Sequence, residues 1–237
     1  MTATIEGYCD ERFSAVRDVL EQQIESGADL GASFSVTYQG ETVVDLWGGY
    51  LDLERTTPWQ EDTLVNVYST TKTMSFLCAL ILADRGELDF DAPVSRYWPE
   101  FAAAGKSDVL VWHFMNHAAG LPGTDEPLAG DDLYDWEKVT DVLARQAPWW
   151  EPGSASGYHA LTQGYLIGEV VRRITGQSLG QFFAETVAKP LQADFFIGVP
   201  SSELPRIGDL VPPPSDGALG RGGDADSIAV RTFMSPR

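Results

Sequence analysis

At 237 residues the chain can hold one large domain or two small ones, and can bury roughly 70% of its unfolded surface. An apolar fraction of 43% with 22% charged residues is that of an ordinary globular protein. Sixteen basic against 35 acidic side chains leave a net charge of −19, which argues against nucleic acid or an anionic membrane as partner.

In chain order, Phe13, Val16, Leu20 and Ile24 recur at helical spacing and Gly27 follows, predicting an amphipathic helix over 10–26. Residues 32–38 alternate with period two, Gln39-Gly40 makes a tight turn, and residues 41–47 continue as a partner strand. A helix laid on an antiparallel hairpin is an α+β beginning. Thr63-Leu64-Val65-Asn66-Val67 reads as an extended segment leading into Tyr68-Ser69.

Ser69-Thr70-Thr71-Lys72 then opens a helix whose body (Met74, Phe76, Leu77, Cys78, Leu80, Ile81, Leu82) is apolar nearly all round. Such a helix belongs in a core, since the run is closed by Asp84-Arg85-Gly86 long before it could span a bilayer. Residues three apart share a helix face, so the Ser69 hydroxyl and the Lys72 amine can meet. Desolvation at that helix end disfavours an ammonium, and a free amine can take a serine proton. The Ser69 N–H at the helix mouth is suited to a developing oxyanion. Alone, a Ser-x-x-Lys tetrapeptide is equally well read as an N-cap serine with an exposed lysine.

Beyond Gly86 the text is loop-rich as far as Asp135, which caps a helix running to about Gln146. Trp149-Trp150-Glu151-Pro152-Gly153-Ser154-Ala155-Ser156-Gly157 is a glycine-containing approach to Tyr158. Helices follow over about 160–175, stopped by Gly176, and from Ser178 to about 188. Past Pro200 periodicity fades into a loop-rich tail. The organisation expected is 1–89 (helix, hairpin and nucleophile helix), 90–199 (mostly helical, carrying Tyr158) and a tail over 200–237. Neither of the two cysteines suggests a disulfide framework, no signal peptide is visible, and a cytoplasmic location is expected.

With Ser69, Lys72 and Tyr158 in view, the chain resembles the serine β-lactamase and penicillin-binding-protein superfamily, most of all its class C-related carboxylesterases (family VIII esterases). The likeness rests on residues 43–49 (Val-Val-Asp-Leu-Trp-Gly-Gly), Tyr68-Ser69-Thr70-Thr71-Lys72, residues 116–122 (Asn-His-Ala-Ala-Gly-Leu-Pro), Glu151-Pro152-Gly153 through Tyr158, and residues 164–176. It implies an α+β, β-lactamase/transpeptidase-like fold: an antiparallel sheet flanked by helices, with a mostly helical lobe. It also implies ester cleavage through an acyl-Ser69 intermediate. Lys72 would activate the serine directly or hold Tyr158 as phenolate, and Tyr158 would exchange protons with Ser69 and the leaving group.

Two departures qualify it. The lactamase second motif is Tyr-x-Asn, whereas Tyr158-His159-Ala160 lacks the amide, which favours simple esters. The third motif, Lys-Thr-Gly or similar on a later sheet strand, is not found, so the sheet is expected to be incomplete. A second oxyanion donor is expected to lie elsewhere, and one such donor is worth about 2.7–4 kcal/mol.

His159, Trp149 and Trp150 are candidate substrate contacts. His113 and His117 are four apart but lack the glutamate of a zinc-hydrolase motif, so no metal is expected. They are read as satisfying hydrogen bonds beneath a loop. No cofactor is implied. The expected partner is a small-molecule ester, with a homo-oligomer or a second chain completing the sheet left open. A β-lactamase, a D-alanyl peptidase or transacylase, and a noncatalytic member remain the alternatives.

Overall fold

The computed structural model describes residues 4–128, 130–212, 227–233 and 235. They fall into two compact units, one made of residues 4–67 and 199–212, the other of 68–128, 130–198, 227–233 and 235.

In the first unit, strands β1 (Ile5–Cys9), β2 (Gly31–Tyr38) and β3 (Glu41–Gly49) form an antiparallel sheet in the order β1-β3-β2. The expected hairpin is β2-β3. Gln39 and Gly40 both stand at positive φ (53° and 86°), the backbone that a two-residue turn with the right twist requires. Helix α1 (Ser14–Ser26) lies on the sheet, and its Val16 and Leu20, with Phe13 just before it, pack against Val43, Val44 and Leu46.

Strand β1 has no counterpart in the sequence reading. Ile-Glu-Gly-Tyr-Cys is short, and Gly7 interrupts it at φ 95°, where a Cβ would sit 2.0 Å from the Asp45 carbonyl oxygen. Pairing with β3, rather than local propensity, makes it a strand. The Arg17 guanidinium on α1 ties it down, donating to the carbonyls of Ile5 (3.2 Å) and Gly7 (3.0 Å).

The expected tail begins at 200, yet its first part belongs to this unit. The Leu64 N–H donates to the Arg206 carbonyl (2.8 Å), the Gly208 N–H to Leu64 (2.9 Å) and the Asp209 N–H to Leu51 (2.7 Å). Arg206 also pairs with Asp62 (3.2 Å). The triple proline and the glycine-rich run after it lie outside the described residues.

The second unit begins at Tyr68, not at residue 90 as the expected boundary had it. Helix α2 (Thr71–Asp84) packs with α5 (Thr162–Thr175) and α6 (Leu179–Phe183), so it belongs with the helical lobe. Two shorter-range helices, α3 (Val111–Met115) and α4 (Trp136–Arg145), complete the packing against α5. On α2 the buried residues are Ser75, Cys78, Ala79 and Leu82, at spacing i, i+3, i+4, i+7. Leu80, on the other side, is exposed, so the helix is amphipathic in its surroundings although nearly uniformly apolar in sequence. Helix α5 contributes Leu166, Ile167, Val170 and Val171 to the same core, with Phe101, Phe114, Leu121, Leu143, Phe182 and Phe183 around them.

The helix ends follow local rules. The Asp135 carboxylate accepts from the Lys138 N–H, Ser178 and Gln181 form a reciprocal capping box, and Gly176 ends α5 at φ 74°. Past Phe183 the chain widens into a π turn, Ala184–Ala188.

Two buried charges hold this unit together. Glu169 is about 1% exposed and accepts from Trp136 Nε1 (2.8 Å), Arg172 (2.7 Å) and Arg173 (2.7 Å). Burial alone would push its carboxyl up, but the bonds from Arg172, Arg173 and Trp136 prevail and hold it below the usual value.

Lys106 is fully buried with no carboxylate among its hydrogen-bond partners. Its three donors reach the carbonyls of Ala103 (2.8 Å), Ala144 (2.9 Å) and Gln146. The last two close the C-terminal end of α4, where a cation complements the helix dipole. Its Nζ also lies 5.1 Å from the centre of the Phe101 ring. Lys106→Met keeps the apolar stem and removes all three donors from buried carbonyls. Equilibrium urea unfolding should show a lower midpoint at unchanged slope, with a loss of about 3 kcal/mol.

Candidate active site

The site is assembled within the second unit by two features: the start of α2 and a scaffold loop at 116–121. Ser69 lies in a single 3-10 turn, Tyr68–Thr70, that runs straight into α2. Tyr68 stands at φ 45°, uncommon for a bulky residue, and this bend turns the chain into the helix immediately before the serine. Ser69 is exposed. Lys72 is half-buried, on the face of α2 that also carries Ser75 and Ala79 toward the core. Its Nζ donates to Ser69 Oγ at 3.2 Å and to the Ala160 carbonyl at 2.7 Å.

Tyr158 completes the cluster. Its hydroxyl donates to Ser69 Oγ at 2.6 Å, and the Lys72 ammonium nitrogen lies 5.0 Å from its ring centre. The phenol is held below its ordinary pKa: a hydrogen bond from the Ser69 hydroxyl to the phenolate is the largest cause, burial opposes it, and the charge of Lys72 lowers the pKa further. Three side chains from positions 69, 72 and 158 thus share one oxygen, Ser69 Oγ. The sequence spacing had paired Ser69 with Lys72, and the resemblance had added Tyr158.

Tyr158 is placed from behind by the loop at 116–121. The Trp149 N–H donates to the Gly120 carbonyl (2.7 Å), the Gly153 N–H to Ala118 (2.9 Å) and the Gly157 N–H to His117 (3.1 Å). Ser156 Oγ donates to the Asn116 carbonyl (2.9 Å). The start of α5 is tied to the same region. Thr162 Oγ1 donates to the Leu121 carbonyl (2.6 Å) and Gln163 Nε2 to that of Phe114 (2.7 Å).

His159 was expected to contact substrate, but it is fully buried. Its Nε2 accepts from the Leu121 N–H (3.1 Å) and its Nδ1 bonds the Gly157 carbonyl (2.5 Å). It braces the loop beneath Tyr158. Burial lowers its pKa from 6.5 to about 4, with a smaller contribution from His117 in the same direction.

Trp149 and Trp150, the other candidate substrate contacts, bond to other parts of the unit. Trp150 Nε1 donates to the Ala155 carbonyl (3.0 Å) and its ring meets His159 edge-on at 5.9 Å, so it props the 155–159 segment. Trp149 Nε1 donates to Asp125 (3.0 Å) under the Arg231 guanidinium, 4.0 Å above its ring. With Thr124, Glu126, Pro127 and Ser235, these residues line a separate cavity of about 290 Å³.

His113 and His117 satisfy local hydrogen bonds, as read: His113 Nδ1 accepts from the Leu110 N–H (3.0 Å) and His117 Nδ1 from the His159 N–H (3.0 Å). Among the described residues no group of three or more His, Cys, Asp or Glu is placed to hold a metal, and no helix is long and apolar enough to cross a membrane.

Comparison with known proteins bears on this geometry. A family model described as Beta-lactamase matches residues 16–234. The chain belongs to that family. It is 35% identical over 209 residues to the esterase/beta-lactamase LipL of Mycobacterium tuberculosis (strain ATCC 25618 / H37Rv), covering 87% of this chain and 48% of LipL. It is 33% identical over 190 residues to the esterase EstB of Burkholderia gladioli, covering 73% of this chain and 48% of EstB. Among solved structures, a family VIII carboxylesterase superposes with a TM-score of 0.82 at 48% identity, over 88% of this chain and 57% of that one. A penicillin-binding protein homologue from Caulobacter crescentus superposes with a TM-score of 0.90 at 42% identity, over 98% and 62%. The expected α+β, β-lactamase/transpeptidase-like fold is therefore the fold observed. The chain spans about half the length of these curated relatives.

His159 makes a pH dependence testable. Its folded pKa lies below its unfolded value, so the stability it contributes is complete above pH 6.5. That stability is lost as the pH falls toward about 4, because the unfolded chain binds the proton first. His159→Gln keeps an acceptor for the Leu121 N–H but does not titrate. Unfolding free energies measured from pH 7 to pH 4 should fall by up to about 3 kcal/mol more in the wild type than in the variant.

Proposed function

We propose that the chain carries the catalytic apparatus of a serine hydrolase that cleaves carboxylic esters through an acyl-Ser69 intermediate. The observation that carries this reading is the sharing of Ser69 Oγ by the Tyr158 hydroxyl at 2.6 Å and the Lys72 amine at 3.2 Å.

Of the two roles open to Lys72, the contacts favour the electrostatic one. Its Nζ donates to an oxygen on each side, and it stands close enough to Tyr158 to depress the phenol's pKa. Tyr158, as phenolate, takes the proton of Ser69 while Oγ adds to the ester carbonyl carbon. The tetrahedral adduct collapses with cleavage of the bond to the alkoxy oxygen, which receives that proton from Tyr158. Water then adds to the acyl-serine, giving its proton to Tyr158, and Ser69 recovers one as the acid leaves. The Ser69 N–H, in the turn that opens α2, is one donor to the oxyanion.

Esters are favoured over lactams by position 160. It is alanine, and its carbonyl is already engaged with Lys72, so it offers no side-chain amide to an acylamino substituent. The second reading, β-lactam hydrolysis, draws on LipL, whose name carries both activities. A homo-oligomer or a second chain completing the sheet remains part of the proposal for the whole protein.

Burst kinetics with p-nitrophenyl acetate and butyrate test the assignment. Ser69→Ala should abolish the burst, and Tyr158→Phe should lower the acylation rate by about 10²–10⁴. Undiminished turnover by Ser69→Ala would overturn it. Nitrocefin turnover exceeding that of both esters would select the lactamase reading.

A further inference from the structure

His117 has no role in the chemistry above, yet it touches Tyr158 in three ways. Its carbonyl accepts from the N–H of Gly157 (3.1 Å), the residue before the tyrosine. Its Nδ1 accepts from the N–H of His159 (3.0 Å), the residue after it. Its ring packs on the Tyr158 ring at 4.7 Å, inclined by 54°. To do all three the residue adopts φ 63°, a left-handed conformation that a side chain of this size seldom takes. Strain of this kind persists only where the surroundings over-determine it.

We propose that His117 is the positioning residue of Tyr158, gripping the N–H groups of the residues on either side of it, with its ring packed behind the phenol. The inference rests on the reading of Tyr158 as the proton carrier.

The grip requires a bare Nδ1, and therefore a neutral imidazole. The groups facing the ring agree with that. Lys72 contributes positive charge, His159 stands 5.6 Å away with its own ring uncharged, and Gln163 Nε2 approaches His117 Nε2 at 3.5 Å. Burial first, and the charge of Lys72 second, lower the pKa of His117. A tyrosine clamped this way keeps its oxygen within hydrogen-bond reach of Ser69 without needing burial of its own, and displacement by about 1 Å commonly costs a hundredfold in rate.

Two substitutions separate the parts. His117→Gly tolerates the positive φ and keeps the carbonyl, but removes the ring and Nδ1. His117→Asn also tolerates that backbone, and its Oδ1 can accept the His159 N–H. Two readouts are taken on the full chain: the rate at which a fluorophosphonate labels Ser69, and the titration of Tyr158 followed by NMR of tyrosine labelled with carbon-13 at Cζ, assigned with Tyr158→Phe.

In His117→Gly, labelling should slow by about tenfold to a hundredfold, with Tyr158 titrating closer to free tyrosine. In His117→Asn both should stay within about threefold and a few tenths of a pH unit of wild type. Wild-type labelling and titration in His117→Gly would overturn the proposal, as would equal damage in the asparagine variant. Should His117→Gly not fold, the asparagine variant decides by the same criteria. If wild type itself does not label, the serine reading fails, while the titration still reports on the grip.

Discussion

The hydrogen bonding of residues 149–159 along the loop at 116–121 is the constraint on which the site depends. Five backbone carbonyls and ring nitrogens of that loop (Asn116, His117, Ala118, Gly120) accept from a segment with no regular structure of its own. The middle of that segment, Gly153-Ser154-Ala155-Ser156-Gly157, has little to bury, so its conformation has to come from paired backbone groups. The loop is in turn held by α5 through Thr162 and Gln163, and α5 is anchored in the largest core of the unit. Position passes from packed helix to loop, and from loop to the peptide groups beside Tyr158.

The same helix serves the other half of the site. The face of α2 that buries Ser75, Cys78, Ala79 and Leu82 packs toward α5, and Lys72 is one turn earlier on that face. Lys72 therefore meets the carbonyl of Ala160, just before α5 begins. One interhelical contact fixes the lysine relative to the tyrosine segment, and helical periodicity fixes Ser69 relative to the lysine. Ser69, Lys72 and Ala160 are related through a single packed pair of helices.

This explains which parts were legible in the sequence. Ser69 and Lys72 are related by local periodicity, which sequence carries directly. The hairpin, the caps at Asp135 and Ser178 and the stop at Gly176 are likewise local. What escaped was whatever depends on distant partners. Strand β1 exists through β3, the first part of the supposed tail exists through residues 51–64, and α2 joins the helical lobe through its contacts with α5 and α6. Lys106 and Glu169 gave no sign of burial, since the carbonyls that satisfy one and the arginines that satisfy the other become neighbours only on folding. His159 adjoins Tyr158 in sequence and points away from it in space. A residue's neighbour along an extended segment ordinarily faces the opposite side.

The open position of Tyr158 gives that last point its weight. The phenol is 41% exposed and Ser69 is exposed too, so neither side chain is held by the packing that fixes a core rotamer. A solvated tyrosine would ordinarily sample several rotamers, each placing its oxygen ångströms apart. What remains to restrict it is the hold on the N–H of Gly157 and the hold on the N–H of His159. Both come from the buried side, from His117 directly and from His159 and Trp150 beneath. In this arrangement the oxygens of Ser69 and Tyr158 keep access to solvent, while their order is supplied by groups on the buried side.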